Sequence, residues 1–180
     1  MALPSTIYRT TVQLADIDRS IYETLQTTVA RHPSETEERL IARLLALALF
    51  YEPDLGFTKG ISATDEPDLW LKGADGRVQL WVEVGLPDAE RIIKAARHAE
   101  RVALLACGRT LPLWERNQLT KLADVANLTV LTLDQEFITR LVSLLERVVT
   151  WDLTVTEGTV YLQAAGESLA TPLLTRTGHR

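Results

Sequence analysis

The sequence predicts an α/β fold with a mixed central sheet flanked by helices, and three observations carry that prediction. The middle of the chain alternates short apolar runs with amphipathic ones, strand then helix, which implies right-handed crossovers and parallel pairing for part of a sheet. Both ends are rich in alternating, β-branched segments. One strongly marked helix stands between the N-terminal strands and the alternating region. The expected organisation is a single domain over 1–180, with an α/β core at roughly 33–146 and an accessory sheet built from terminal strands at 5–31 and 147–175.

Residues 6–14 place Ile7, Thr11 and Val12 among polar neighbours, 16–20 form a turn, and 22–31 alternate again, so the chain opens on a hairpin. Ser34 and Glu37 have the spacing of a capping box, and Leu40, Ile41, Leu44, Leu45 and Ala48 follow at helical period. That helix ends before Pro53, and 57–61 is a short extended or irregular piece. Strands are expected at 68–72 and 77–84. Pro87 suits the first turn of a helix running to about His98. Residues 101–107 form a buried strand, 113–123 a helix, 128–133 a strand and 135–146 a helix. Strands at 148–156, 159–163 and 169–174 close the chain, with fraying from Arg176.

Composition narrows the function. Of 180 residues, 46% are hydrophobic and 24% charged, as in a globular protein, and the formal net charge is −5, so no global basic field draws the chain to nucleic acid or to a membrane. One cysteine, Cys107, excludes an intramolecular disulfide. With His32, His98 and His179 the only histidines, a structural Cys/His zinc site lacks ligands. No apolar run is long enough for a membrane helix, and no secretory signal is visible, so a bacterial cytoplasmic protein is expected. There is no Walker loop, G-x-G-x-x-G or G-x-S-x-G.

The chemistry concentrates at 66–83. Asp75-Gly76 between two alternating runs is a strong hairpin signal. A two-residue turn there sets Leu71 against Leu80, Trp70 against Trp81, Leu69 against Val82 and Asp68 against Glu83. The tryptophans and the two acids then share one face. Like charges directly opposed are destabilising unless a cation, an arginine or a proton offsets them. Two carboxylates converging on a point suit Mg²⁺. Glu38 continues the apolar stripe of the first helix at its N-terminal end and is the expected third ligand; Glu35 is less well placed, and Glu37 belongs to the capping box. Arg91, Lys94, His98 and Arg101 form a basic face on the following helix.

Arg31-His32-Pro33-Ser34-Glu35-Thr36-Glu37-Glu38-Arg39, Phe57-Thr58-Lys59-Gly60-Ile61-Ser62, Glu66-Pro67-Asp68 and Trp81-Val82-Glu83-Val84-Gly85-Leu86-Pro87-Asp88 together resemble the YaeQ family of bacterial proteins, over nearly the whole chain. That family is similar in fold to the PD-(D/E)XK nucleases, so the resemblance implies a restriction-endonuclease-like core. Pro67-Asp68 then matches the PD and Glu83 the (D/E), while the lysine position falls on Gly85, with Lys94 as its replacement from the next helix.

The resemblance implies a Mg²⁺- or Mn²⁺-dependent phosphodiesterase acting on nucleic acid. Asp68, Glu83 and Glu38 would hold the metal, and Lys94 would orient water or offset charge on the scissile phosphate. The alternative is a catalytically degenerate nuclease fold that serves as a binding or regulatory module for a protein partner, as Gly85 and the net charge favour. The bland readings are Asp68 and Glu83 solvated or neutralised by Arg39 or Arg43, Lys94 facing solvent, Trp70 and Trp81 filling core, Cys107 packing, and His32 holding its turn.

Overall fold

A computed structural model describes residues 4–59 and 65–180. In chain order its elements are β1 (Thr6–Asp16), β2 (Ile21–Arg31), α1 (Glu37–Leu49), β3 (Gly56–Phe57), β4 (Leu69–Lys72), β5 (Val78–Val84), α2 (Ala89–His98), β6 (Ala99–Ala106), α3 (Leu111–Asn117), β7 (Leu128–Thr132), α4 (Gln135–Ser143), β8 (Val148–Thr156), β9 (Thr159–Ala164), β10 (Glu167–Pro172) and β11 (Leu174–Thr177). The fold is mixed α/β, with two mixed sheets. The chain divides into two compact units, Met1–Leu49 with Leu133–Leu173, and Phe50–Thr132 with Leu174–Arg180.

In the first unit the strands lie in the order β10-β9-β8-β1-β2. β1 pairs antiparallel with β2 and parallel with β8, and β8, β9 and β10 continue as antiparallel hairpins. Alternation does the work: Tyr8, Val12 and Leu14 of β1 point inward with Trp151, Leu153 and Val155 of β8. Asp16 is fully buried at the end of β1, its Oδ2 accepting from Arg19 Nε at 2.7 Å, and this ion pair closes the first turn.

α1 packs against β1, β2 and α4, and every residue from Leu40 to Leu49 is buried. A helix apolar on all sides belongs in a core. Its start differs from the expected capping box. Ser34 Oγ bonds to His32 Nδ1 at 2.7 Å, and Glu37 pairs with Arg31. Thr36 is the cap instead, its Oγ1 accepting from Arg39 N–H at 3.2 Å.

In the second unit the order is β11-β7-β6-β5-β4-β3. β5, β6 and β7 are parallel, and the other pairs are antiparallel. α2 lays Ala89, Ile92 and Ala95 into a core with Val102, Leu104 and Val130. Pro87 lies outside that helix: its carbonyl accepts from Trp114 Nε1 at 2.6 Å, and Gln118 Oε1 accepts from the helix-opening Ala89 N–H at 3.2 Å. The expected helix at 113–123 starts earlier and tightens into a 3₁₀ turn at Leu119–Leu122.

Two further expectations are corrected. The last strand is two strands: β10 ends at Pro172, and β11 joins β7 of the second unit. The tail therefore does not fray at Arg176, which pairs with Glu115 at 2.8 Å, while His179 O accepts from Thr129 Oγ1 at 2.8 Å. Of the extended piece at 57–61, residues 60 and 61 lie outside the described residues. Among the described residues no helix is long and apolar enough to cross a membrane.

Candidate functional site

The β4–β5 hairpin builds the site. Leu69–Val82, Trp70–Trp81 and Leu71–Leu80 pair as the sequence predicts. The bend reaches that register by a different route. Gly76 N–H donates to Gly73 O and Gly73 N–H to Arg77 O, each at 2.9 Å, so the loop has three residues, 74–76. Gly76 closes it at φ +81°, where a glycine is at no steric disadvantage. Alone, this loop would slip the register by one residue. Lys72 pairs with Val78 while Leu71 pairs with Leu80, so Gln79 is a bulge that restores it. The two departures cancel from Leu71–Leu80 to Leu69–Val82.

Asp68 N–H donates to Val82 O at 3.0 Å, immediately before the paired Leu69–Val82 position, so Asp68 lies beside the Val82–Glu83 stretch of β5, and the pairing itself ends at Leu69. Both acids are buried, 1% and 4% exposed. Asp68 Oδ2 accepts from Val84 N–H at 2.9 Å, fixing the carboxylate against the neighbouring strand. Glu83 Oε1 accepts from Trp81 Nε1 and from Arg91 Nε, both at 2.8 Å, and Arg91 Nη2 lies at 2.8 Å from the same oxygen. Arg91 Nη2 also donates to Glu66 O at 2.9 Å. A cation that offsets Glu83 is Arg91, in the first turn of α2. Arg43, one of the two arginines expected in that role, is buried against Glu35 in the first unit. Burial pushes the Glu83 carboxyl above its ordinary 4.5, the Arg91 charge and the Trp81 bond oppose this, and the Asp68 charge reinforces it.

Arg91, Lys94 and His98 line one cleft of about 410 Å³ with Asp65, Trp81 and Ala95. Helical spacing brings the two cations and the His98 imidazole together, as the basic face predicts. Arg101 is not among them: the helix ends at His98, and Arg101 lies on β6, paired with Glu52. Both tryptophans are half-buried, and Trp81 packs against the core of this unit. Trp70 carries Lys72 Nζ 3.5 Å over its ring, and Trp81 spends its N–H on Glu83. A groove of about 470 Å³ in the first unit, between α4 and β10, is larger, but its Arg140 is bound bidentate to Glu167.

Glu38 is half-buried in the first turn of α1, in the first unit. Among the described residues, no group of three or more His, Cys, Asp or Glu gathers around a point that could hold a metal. Gly85, at the position where the resemblance expects lysine, has φ +98°, which side-chain-bearing residues rarely adopt. The backbone itself thus disfavours a lysine there. The residue that position-by-position reading missed is Arg91 as the clamp on Glu83. A strand-to-helix contact of this kind leaves no periodic trace, although the unmet charge of two opposed acids called for such a partner.

Fold and site together define a mixed α/β protein carrying a buried acidic pair beside a basic cleft. The family profile described as "YaeQ protein" matches residues 1–173, and the chain belongs to that family. It is 41% identical over 170 residues to the YaeQ protein of Salmonella typhi, spanning 94% of each chain, and 40% identical over 163 residues to that of Escherichia coli K12, spanning 90% of each. Its fold matches the crystal structure of the YaeQ protein from Pseudomonas syringae with a TM-score of 0.93 at 40% identity, over 99% of each chain. The YaeQ protein of Xanthomonas axonopodis pv. citri gives a TM-score of 0.93 at 34% identity, over 97% of this chain and 99% of that one.

Proposed function

We propose that this chain is a Mg²⁺-dependent phosphodiesterase of the PD-(D/E)XK type, with a restriction-endonuclease-like core, acting on nucleic acid. The observation that carries this reading is two buried acids, Asp68 just before β4 and Glu83 on β5, on one hairpin whose Trp81 and Arg91 neighbours line a cleft with Lys94 and His98. The donor set fits a small divalent ion. Mg²⁺ is commonly held by one or two carboxylates with water in its remaining positions. Here the N–H donors of Trp81 and Arg91 converge on Glu83 Oε1, leaving Oε2 outside that clamp.

Bound there, the ion would lower the pKa of a water and offset charge on the phosphate. Asp68 and Glu83 hold and orient it, Asp68 being fixed by the Val84 N–H. Lys94 supplies a charge to the scissile phosphate from α2, in place of the lysine that the φ of Gly85 disfavours. The His98 imidazole extends this wall of the cleft. Glu38, in the first unit, is left outside this set.

Calorimetric titration of Mn²⁺ into the wild type and Asp68→Asn tests the reading. Binding at millimolar or tighter that the substitution abolishes is expected, with cleavage of DNA or RNA lost in Glu83→Gln. A wild type that binds no divalent ion overturns it. One observation favours the second reading, a non-catalytic module: Arg91 already supplies Glu83 with a counter-cation. Nucleic-acid or protein binding without metal dependence or cleavage would select it.

A further inference from the structure

We propose that Arg91 is a displaceable stand-in for the metal: it holds Glu83 while the ion is absent and passes to the substrate phosphate when the ion arrives. This rests on the metal reading of Asp68 and Glu83 and assigns a positioning role to a residue outside the acidic pair.

The geometry of the clamp is uneven. Arg91 brings both Nε and Nη2 to a single oxygen of Glu83, at 2.8 Å each. A guanidinium built for a permanent carboxylate bond sets two parallel N–H groups on two oxygens, which adds energy and direction. Here one oxygen is held twice and the carboxylate is only half enclosed. The Arg91 side chain is 36% exposed, whereas that of Glu83 is 5% exposed. The cation thus stands at the mouth and the anion behind it, the arrangement in which the cation can leave and the anion cannot.

The second anchor determines where Arg91 goes. Its Nη2 also donates to Glu66 O at 2.9 Å, two residues before Asp68. A guanidinium released from Glu83 that keeps this bond stays in the cleft wall beside Lys94 and His98. Its freed N–H groups then face whatever fills the cleft. A phosphodiester accepts them in the fork geometry that arginine offers and lysine lacks. The exchange keeps Glu83 offset at each stage, first by the guanidinium and then by the ion, and the guanidinium by the acid and then by the phosphate.

The test is two titrations on the full chain, each on wild type, Arg91→Gln and Trp81→Phe. Trp81→Phe removes the other donor to Glu83 Oε1 and keeps the arginine. In Mn²⁺ titrations Arg91→Gln should bind roughly tenfold tighter than wild type, the factor by which a competing state divides affinity when it is nine-tenths populated. Trp81→Phe should stay within about twofold of wild type. In Ca²⁺, a short oligothymidylate should bind Arg91→Gln more weakly than wild type. Opposite signs for ion and oligonucleotide are the signature, because a merely structural arginine would weaken both. Mn²⁺ affinity of Arg91→Gln equal to or below wild type overturns the stand-in role while leaving the metal site in place. No Mn²⁺ binding by any of the three chains overturns both.

Discussion

Among the described residues, the Glu35–Arg43 and Glu83–Arg91 pairs share the same spacing, eight residues, and they are built to opposite ends. In the first unit Arg43 Nη1 reaches both oxygens of Glu35, at 3.1 and 3.2 Å, and Ala30 O at 3.4 Å. Side-chain exposure is 3% for the arginine and 2% for the acid. Here neither partner has a route to water. In the second unit Arg91 doubles up on one oxygen of Glu83 and stands 36% exposed. A closed pair fixes the α1 entry, and an open pair leaves a buried carboxylate reachable. Burial of both partners, rather than the presence of an ion pair, separates a clamp that holds the fold from one that can yield to a ligand.

The largest effect should come from breaking the closed pair. Arg43→Ala leaves Glu35 buried without its counter-charge and should cost about 3–5 kcal/mol in urea denaturation, while Arg43→Met with Glu35→Leu should return most of it. Arg91→Ala should cost less, about 1–2 kcal/mol, because Glu83 can take up a proton with its pKa already raised. Millimolar Mn²⁺ should restore the melting temperature of Arg91→Ala and leave Arg43→Ala unchanged. Equal losses with no metal effect would erase the distinction between the pairs.

Gly85→Lys rebuilds the lysine of the motif and sharpens the comparison from the other side. A side chain forced to φ +98° should cost about 1–2 kcal/mol. A variant as stable as wild type would show that the backbone does not dictate this departure.

The pH dependence is smaller. A carboxyl whose pKa rises on folding disfavours the folded state once ionised: the penalty is absent well below 4.5, grows as pH climbs through the raised value, and stays in force above it. Glu83→Gln removes that penalty. Its stability relative to wild type should therefore rise between mildly acid and neutral pH in denaturation curves taken across the range. A difference that falls with pH would mean that Arg91 and Trp81 outweigh burial.

The smallest change belongs to a surface pair. Arg101→Ala, which loses only the half-exposed contact with Glu52, should shift stability by less than about 1 kcal/mol and fade further in salt. A larger loss would place β6 in the same class as the closed pair.

Much of this was legible in the residues. The apolar stripe from Leu40 and the runs at 128–133 and 148–156 announce their elements because periodicity is a local property. The Trp70–Trp81 register could be read from alternation and a bend, and it held although the loop is one residue longer than expected, since the bulge at Gln79 compensates. Neither that bulge nor Arg91 on Glu83 could be read: a bulge moves one residue against an unaltered pattern, and a strand-to-helix contact depends on where the α2 axis falls. The cap at Thr36 was hidden by a competing Ser34–Glu37 spacing, which His32 and Arg31 take apart. The C-terminal strand was hidden because β11 is short and largely exposed, and its reason to exist is the edge of β7.

By itself the sequence determined the mixed α/β composition, the order of most elements and the register from Leu69–Val82 to Leu71–Leu80, because side-chain alternation and short-range turn chemistry are written residue by residue. The tertiary structure decided which arginine meets which acid, how much water each pair sees, and that Gly85 stands where a lysine is disfavoured. Those outcomes depend on distances between elements far apart in the chain, and burial, which sets the cost of a charge, exists only once they have packed.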